Sequence, residues 1–207
     1  MHNRIICGLL TIIIVLVTCS CNERLNEVKG FYDDGTLQRI YFIDRDSLIQ
    51  GEYKVFFEDG ETLFEVSHYS NGQLDGERTL FYIDGVPEIK EYYSKDTLID
   101  TTKIYYKNGN LKQLVPHNKG VLSGILRVFY DNGNLKEEVM FEDNQENGPF
   151  KEYHPNGQLK WTGTYLNGDN EFGELRNYDS TGTHVRTLVC DSLAICRTTW
   201  AIEDNES

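Results

Sequence analysis

The stretch CDSLAIC holds the residues whose spacing most directly permits chemistry: five residues separate Cys190 from Cys196. As thiols, such a pair can exchange electrons or hold a metal. Oxidised, it forms a small disulfide loop that fastens the tail, and this is the expected state. Closing so short a loop stabilises by about 2 kcal/mol in the chain-entropy view. The histidines are His2, His68, His117, His154 and His184, with no metal-ligand spacing among them. His68 and His117 both precede turns and could meet across neighbouring repeats, although solvated turn histidines are the simpler reading. G-x-S-x-G, H-E-x-x-H and the P-loop pattern are all absent. The acidic stretches EDNQEN (142–147) and DDG (33–35) read as solvated loops and lack the pattern of a calcium loop. The expectation is therefore no catalytic residue, no metal and no cofactor.

Two more cysteines close the N-terminal stretch MHNRIICGLLTIIIVLVTCSC. A short polar region with Arg4 precedes an apolar run from Ile5 to Val17, broken by Gly8 and Thr11. That is the layout of a secretory signal peptide. The run is shorter than the roughly 20 apolar residues that span a bilayer, so a membrane-spanning anchor fits less well. The end of the run resembles the lipobox of bacterial lipoproteins, in which a lipidated cysteine becomes the first mature residue. Cys19 has Leu16 three positions before it but the bulkier Thr18 next to it. Cys21 has small Ser20 next to it but Thr18 at the leucine position. Lipidation of Cys21 leaves Cys190 and Cys196 as the remaining pair, whereas lipidation of Cys19 leaves Cys21 as an odd thiol. Cys21 is the preferred site and Cys19 the alternative. The resemblance implies a chain anchored in the bacterial cell envelope, at the outer membrane, on its periplasmic or surface face. Disulfides persist in such an oxidising compartment.

The remaining residues suited to recognition are aromatic, and they recur. Glycines fall at Gly35, Gly60, Gly85, Gly109, Gly133, Gly157 and Gly182, with gaps of 24 or 25 residues. So even a period is the mark of a stacked repeat fold. Four positions before these glycines stand Phe31, Phe56, Phe81, Tyr105, Phe129, Tyr153 and Tyr178. Two positions earlier the column reads Lys29, Lys54, Thr79, Lys103, Arg127, Lys151 and Arg176. Residues two apart in a strand share a face, so one face is expected to carry rings flanked by cations. The ring column is expected to stack and hold the units together. Tyr32, Tyr82, Tyr106 and Tyr130 fall on the interleaved face. They are the better candidates for a binding surface, because a phenol suits a half-exposed position.

The elements that place these residues follow from the turns. Immediately before the glycines stand Asp34, Asp59, Asp84, Asn108, Asn132, Asn156 and Thr181. An Asn-Gly or Asp-Gly pair between β-prone runs signals a two-residue hairpin turn of type I′, with positive φ at both central residues. Leu111, Leu135 and Leu159 open a second strand after the three tightest copies, and a second turn, as in SNGQLDG and NKGVLSG, returns the chain. Each unit is thus a hairpin plus a connector. The fold class is all-β: a single-layer, twisted antiparallel meander of about seven stacked hairpins and about 14 strands. The segments are a signal peptide at 1–20, a tether at 21–27, seven repeats at 28–190 and a tail at 191–207. Polar end units act as caps, and Trp200 in the tail either packs on the last hairpin or is free for recognition.

These columns, clearest in GPFKEYHPNGQLKWTGTYLNG, resemble the MORN repeat variant found in bacterial proteins often labelled as the YwqK-type antitoxin family. The resemblance covers roughly residues 26–185 and is loosest at 76–100, where Asp100 stands in place of a unit-opening glycine. It implies a single-layer, twisted antiparallel sheet of hairpins and does not imply an enzyme activity. Net charge is −13, which argues against nucleic acid, because phosphate contacts need a basic surface. The expected partners are the membrane, through the N-terminal lipid, and a protein or polysaccharide bound along the sheet. An antitoxin or immunity protein that covers a basic toxin is the alternative.

Overall fold

The computed structural model describes residues 24–202. Cys19 and Cys21 lie outside the described residues, as does the leader. Among the described residues there is no helix, and sixteen strands form one open antiparallel sheet. Strands β1 (Asn26–Phe31) and β2 (Leu37–Ile43) make the first hairpin, and β3 (Ile49–Phe56) and β4 (Leu63–Ser70) the second. The third and fourth are β5 (Gln73–Phe81) with β6 (Pro87–Ser94) and β7 (Thr97–Tyr105) with β8 (Leu111–Asn118). The short β9 (Val121–Leu122) and β10 (Gly124–Phe129) are one strand broken at Ser123, and together they pair with β8. With β11 (Leu135–Glu142) they complete the fifth hairpin. The sixth and seventh are β12 (Gln145–Tyr153) with β13 (Leu159–Tyr165) and β14 (Gly173–Tyr178) with β15 (His184–Cys190). The tail adds β16 (Cys196–Ala201), paired with β15. The meander of seven hairpins is as expected, and the tail strand extends it by one rung.

The turn chemistry differs from the expectation. At the repeat glycines only glycine has positive φ, for example 83° at Gly109, and Asn108 does not. Gly109 N donates to Tyr106 O at 2.9 Å, and Tyr106 N donates to Asn110 O at 2.8 Å. These bonds define a type I turn followed by a glycine bulge, a three-residue loop. Asx residues are selected there for their side chains: Asn108 Oδ1 accepts from Asn110 N at 2.9 Å, and Asp34 Oδ1 from Thr36 N at 2.9 Å. The type I′ geometry sits at the other end of the strands. Asn71 and Gly72, Lys95 and Asp96, Lys119 and Gly120, and Asp143 and Asn144 all have positive φ, inside two-residue loops closed by Ser70–Gln73, Ser94–Thr97, Asn118–Val121 and Glu142–Gln145.

The ring column does not stack. Strands equivalent between units are two rungs, about 9.5 Å, apart, too far for rings to touch. Phe31 is 57% exposed. Ring contacts occur instead between adjacent strands: Tyr41–Tyr53 at 5.1 Å, Tyr53–Tyr69 at 5.6 Å and Phe150–Tyr165 at 4.4 Å between centroids.

The best-packed region lies at the C-terminal half, on the face that carries the residue seven before each repeat glycine. Val139, Phe150, Leu175 and Cys190 are 2–3% exposed there. Gly163 makes this possible. A Cβ on it would lie 2.5 Å from Phe150 Cε1 and 2.9 Å from Leu175 Cγ, so both side chains close over the bare backbone. In the third unit the same column holds Arg78. Its guanidinium binds Glu65 through two bonds of 3.0 Å and Glu91 through a third of 3.0 Å. Half-buried charges persist only when so paired. Members of the cationic column pair within their own strand or across to the next: Lys29 meets Glu27 and Lys54 meets Glu52, each at 2.7 Å, whereas Arg127 meets Glu138 of β11 at 2.8 Å.

Candidate functional site: the tyrosine row along the repeat turns

Each repeat turn places its tyrosine identically. The backbone of Tyr32, Tyr82, Tyr106 and Tyr130 is clamped on both sides by the turn bonds, which aims the side chain at the next unit. Tyr32 Oη donates to Phe56 O at 2.7 Å, and Tyr82, Tyr106 and Tyr130 donate to Tyr105 O, Phe129 O and Tyr153 O at 2.8 Å each. His154 Nε2 meets Tyr178 O at 2.9 Å in the same way. The aromatic column thus accepts bonds through its carbonyls. The hydroxyls of the four tyrosines are committed to structure, and their ring faces are what remains for a ligand. All four residues are half-buried.

Asparagines add a second row of ties that sequence reasoning missed. Asn108 and Asn110 both donate to Asp131 O, at 3.1 and 2.7 Å, and Asn132 and Asn134 to Pro155 O, at 3.2 and 2.8 Å. Asn156 donates to Ser180 O at 2.7 Å. The signal was the repeated N-G-N of the fourth and fifth units. In the first three units Asp34, Asp59 and Asp84 have no amide to donate.

Lysines cover three of the rings. Lys107 Nζ lies 5.8 Å from the Tyr82 centroid, Lys112 5.6 Å from Tyr106 and Lys136 5.9 Å from Tyr130, within the range of cation–π attraction. No such pair involves Tyr32 among the described residues. Beside it, Tyr32, Phe57, Phe64 and Ile83 line a groove of about 450 Å³ together with Glu58 and Asp59. Phe57 meets Phe64 edge-on at 5.2 Å. Hydrogen bonds from Thr62 and Glu61 hold the Asp59 carboxyl below its ordinary value of 3.8, so it carries its charge at neutral pH.

A second polar pocket, of about 260 Å³, lies among Tyr130, Lys136, Glu137, Glu152, Tyr153 and Lys160. Glu137 and Glu152 stand opposite each other on β11 and β12. Burial raises the Glu137 carboxyl above its ordinary value, and Glu152 adds to the rise. Glu152 is held by Lys160 Nζ at 2.9 Å. Tyr165 nearby is pushed up to about 12, mainly by burial and then by Glu146 and Glu137.

Cys190 and Cys196 form a disulfide across β15 and β16. Glu171 Oε2 lies 3.4 Å from Cys196 Sγ, and the three side chains are grouped closely enough for metal ligation were the bridge open. His68 and His117 do not meet. His68 stands with Pro116 and Met140 in a column seated against Gly76, Gly124 and Gly148. His117 stands with Tyr69, Phe141 and Tyr165 in a column that pairs with Asp100, Gly51, Gly124 and Gly148 in turn. Burial lowers the His117 imidazole. Trp200 stacks on His184 at 4.6 Å and stays 45% exposed.

Hairpin and connector repeat, with one register across the repeat turn in every unit but the second, which defines a β-hairpin repeat protein. The family model described as the MORN repeat variant matches residues 101–119, 122–143 and 146–167. These three segments are therefore MORN repeat variants, and they contain the most complete part of the tyrosine, lysine and asparagine rows. No curated protein matches the chain.

Proposed function

We propose that the protein is a lipid-anchored scaffold of the bacterial cell envelope that binds a protein or polysaccharide partner along its sheet and catalyses nothing itself. Lipidation at Cys21, or at Cys19, supplies the anchor, and several acyl chains hold far better than one. The observation that carries the reading is the open single-layer sheet, in which even Phe150 and Val139 are covered only by neighbouring rungs. Such a fold offers surface in place of an enclosed site. Capture from solubilised envelopes tests it. The expected result is a specific partner retained by the full-length protein and lost on substituting the ring-face neighbours Lys112 and Lys136 with Glu. Retention of every partner by that variant, and by variants of the opposite face, would refute it.

The net charge of −13 favours one second reading, a neutraliser of a basic toxin, since complementary charge speeds and orients such an encounter. Co-expression with toxic neighbouring genes discriminates: rescue of growth supports the neutraliser.

A further inference from the structure

The lysines over Tyr82, Tyr106 and Tyr130 come from two columns. Lys107 is the residue two before its repeat glycine and reaches back to the tyrosine of the preceding unit. Lys112 and Lys136 directly follow the leucine that opens the second strand and cover the tyrosine of their own unit. In the first column Lys107 is the one cation, with Asp131 and Pro155 following it, whereas the second column holds lysine in the fourth to sixth units; beside the first two rings neither column holds one. Around Tyr32 they hold Glu58 and Gln38. Around Phe57 they hold Ile83 and Phe64, because the second unit has one extra loop residue and pairs Phe56 with Leu63 where other units pair Tyr105 with Leu111. Tyr82, Tyr106 and Tyr130 thus each have one lysine over the ring, whereas Tyr32 and Phe57 have an acid, an amide or apolar groups in both places. Phe64 is 37% exposed and Ile83 56% exposed, and the groove that results contains the charged carboxylate of Asp59.

We propose that this groove binds the lysine or arginine side chains of a basic segment of a protein partner, each cation occupying the place over Tyr32 or Phe57 that the chain's own lysines occupy farther along. The occupant follows from charge complementarity and from that internal precedent: aromatic faces attract a cation, and Glu58 and Asp59 supply the countercharge. The inference deepens the scaffold reading and rests on it for the partner being a protein.

The probe is fluorescently labelled tetralysine, titrated into the full-length protein in detergent at low salt, with fully acetylated tetralysine as the uncharged control. Saturable binding of the charged peptide alone is expected. Phe64→Lys installs the chain's own cation, as in the fourth to sixth units, and should weaken binding about tenfold or more. Glu58→Gln alters only an exposed carboxylate and should weaken it about threefold. Thr198→Lys, on the far edge strand, makes the same charge change as Phe64→Lys and should leave binding within about twofold. Equal weakening by Phe64→Lys and Thr198→Lys, or none by Phe64→Lys and Glu58→Gln, would overturn the site in favour of diffuse attraction to an acidic protein. A dimer that Phe64→Lys dissolves would overturn it in favour of a second copy. Tetralysine binding without any envelope partner would leave the groove intact and sink the scaffold reading, and the converse result would sink the groove alone.

Discussion

At the scale of single residues, the tyrosine hydroxyl is the connection most open to test. Tyr106→Phe removes the hydroxyl's bond to Phe129 O and should cost about 1 kcal/mol in denaturant unfolding. Phe57 is the ring in the row that carries no polar atom to reach the next unit, so Phe57→Tyr should recover a similar amount by reaching Phe81 O. Asp100 takes a φ of 62° where Gly76, Gly124 and Gly148 stand in other units. Relief of that backbone conformation by Asp100→Gly should stabilise by about 0.5 kcal/mol. Two sets of carboxyls act oppositely on pH dependence. The Glu137 carboxyl is raised from 4.5 by burial. Its contribution is therefore fully present below that value and is lost as pH rises through its folded-state value. Asp34 and Asp59 are lowered from 3.8 by turn hydrogen bonds, and their contribution is lost as pH falls below that value. Glu137→Gln should flatten the decline that sets in above pH 4.5, with a gain of about 0.5 kcal/mol at neutral pH from removing like charges across the pair. Thermal melts of the two proteins from pH 3 to 9 measure both limbs.

At the scale of elements, Gly163 decides how well the C-terminal hairpins pack. Gly163→Ala drives a methyl into Phe150 and Leu175 and should cost about 1–3 kcal/mol, read from the same unfolding experiment. The hairpins themselves were legible because glycine recurs at a fixed interval where the chain needs positive φ. The turn type was not, because Asn-Gly satisfies both a two-residue loop and a type I turn with a glycine bulge. The choice depends on which residues pair across the loop, Phe129 with Leu135, and pairing leaves no local signature. Type I′ turns at Lys95–Asp96 and Asp143–Asn144 were hidden for the complementary reason, since neither contains glycine. The tyrosines are legible in the sequence as one column, but their engagement with the next unit depends on a carbonyl 23 or 24 residues away, which side-chain patterns do not record. Gly163 likewise reads as an ordinary strand glycine until Phe150 and Leu175 are seen above it.

At the scale of the molecule, contacts run between strands adjacent in the sheet and, through the tyrosine and asparagine ties, between adjacent units, so stability is a sum of neighbour interactions. A change at one end should stay there. Cys190→Ser with Cys196→Ser removes about 2 kcal/mol of constraint from the β15–β16 edge. Hydrogen exchange should then quicken in β16, while β5 through β12 keep their protection; uniform loss across the sheet would contradict this. The two edges are defended differently. Strand β1 carries the Lys29–Glu27 ion pair, and the Arg39 side chain lies across Gly30, whereas β16 relies on the disulfide and on Trp200 against His184.

The one-directional strand order has a mechanical consequence. Tension applied between the first and last rungs acts along the hydrogen-bond direction, so it loads one ladder at a time instead of shearing many together. The sheet would yield by peeling, one strand after another, and each released unit of 24 or 25 residues would add roughly 80 Å of slack, making the chain an extensible tether as well as a surface.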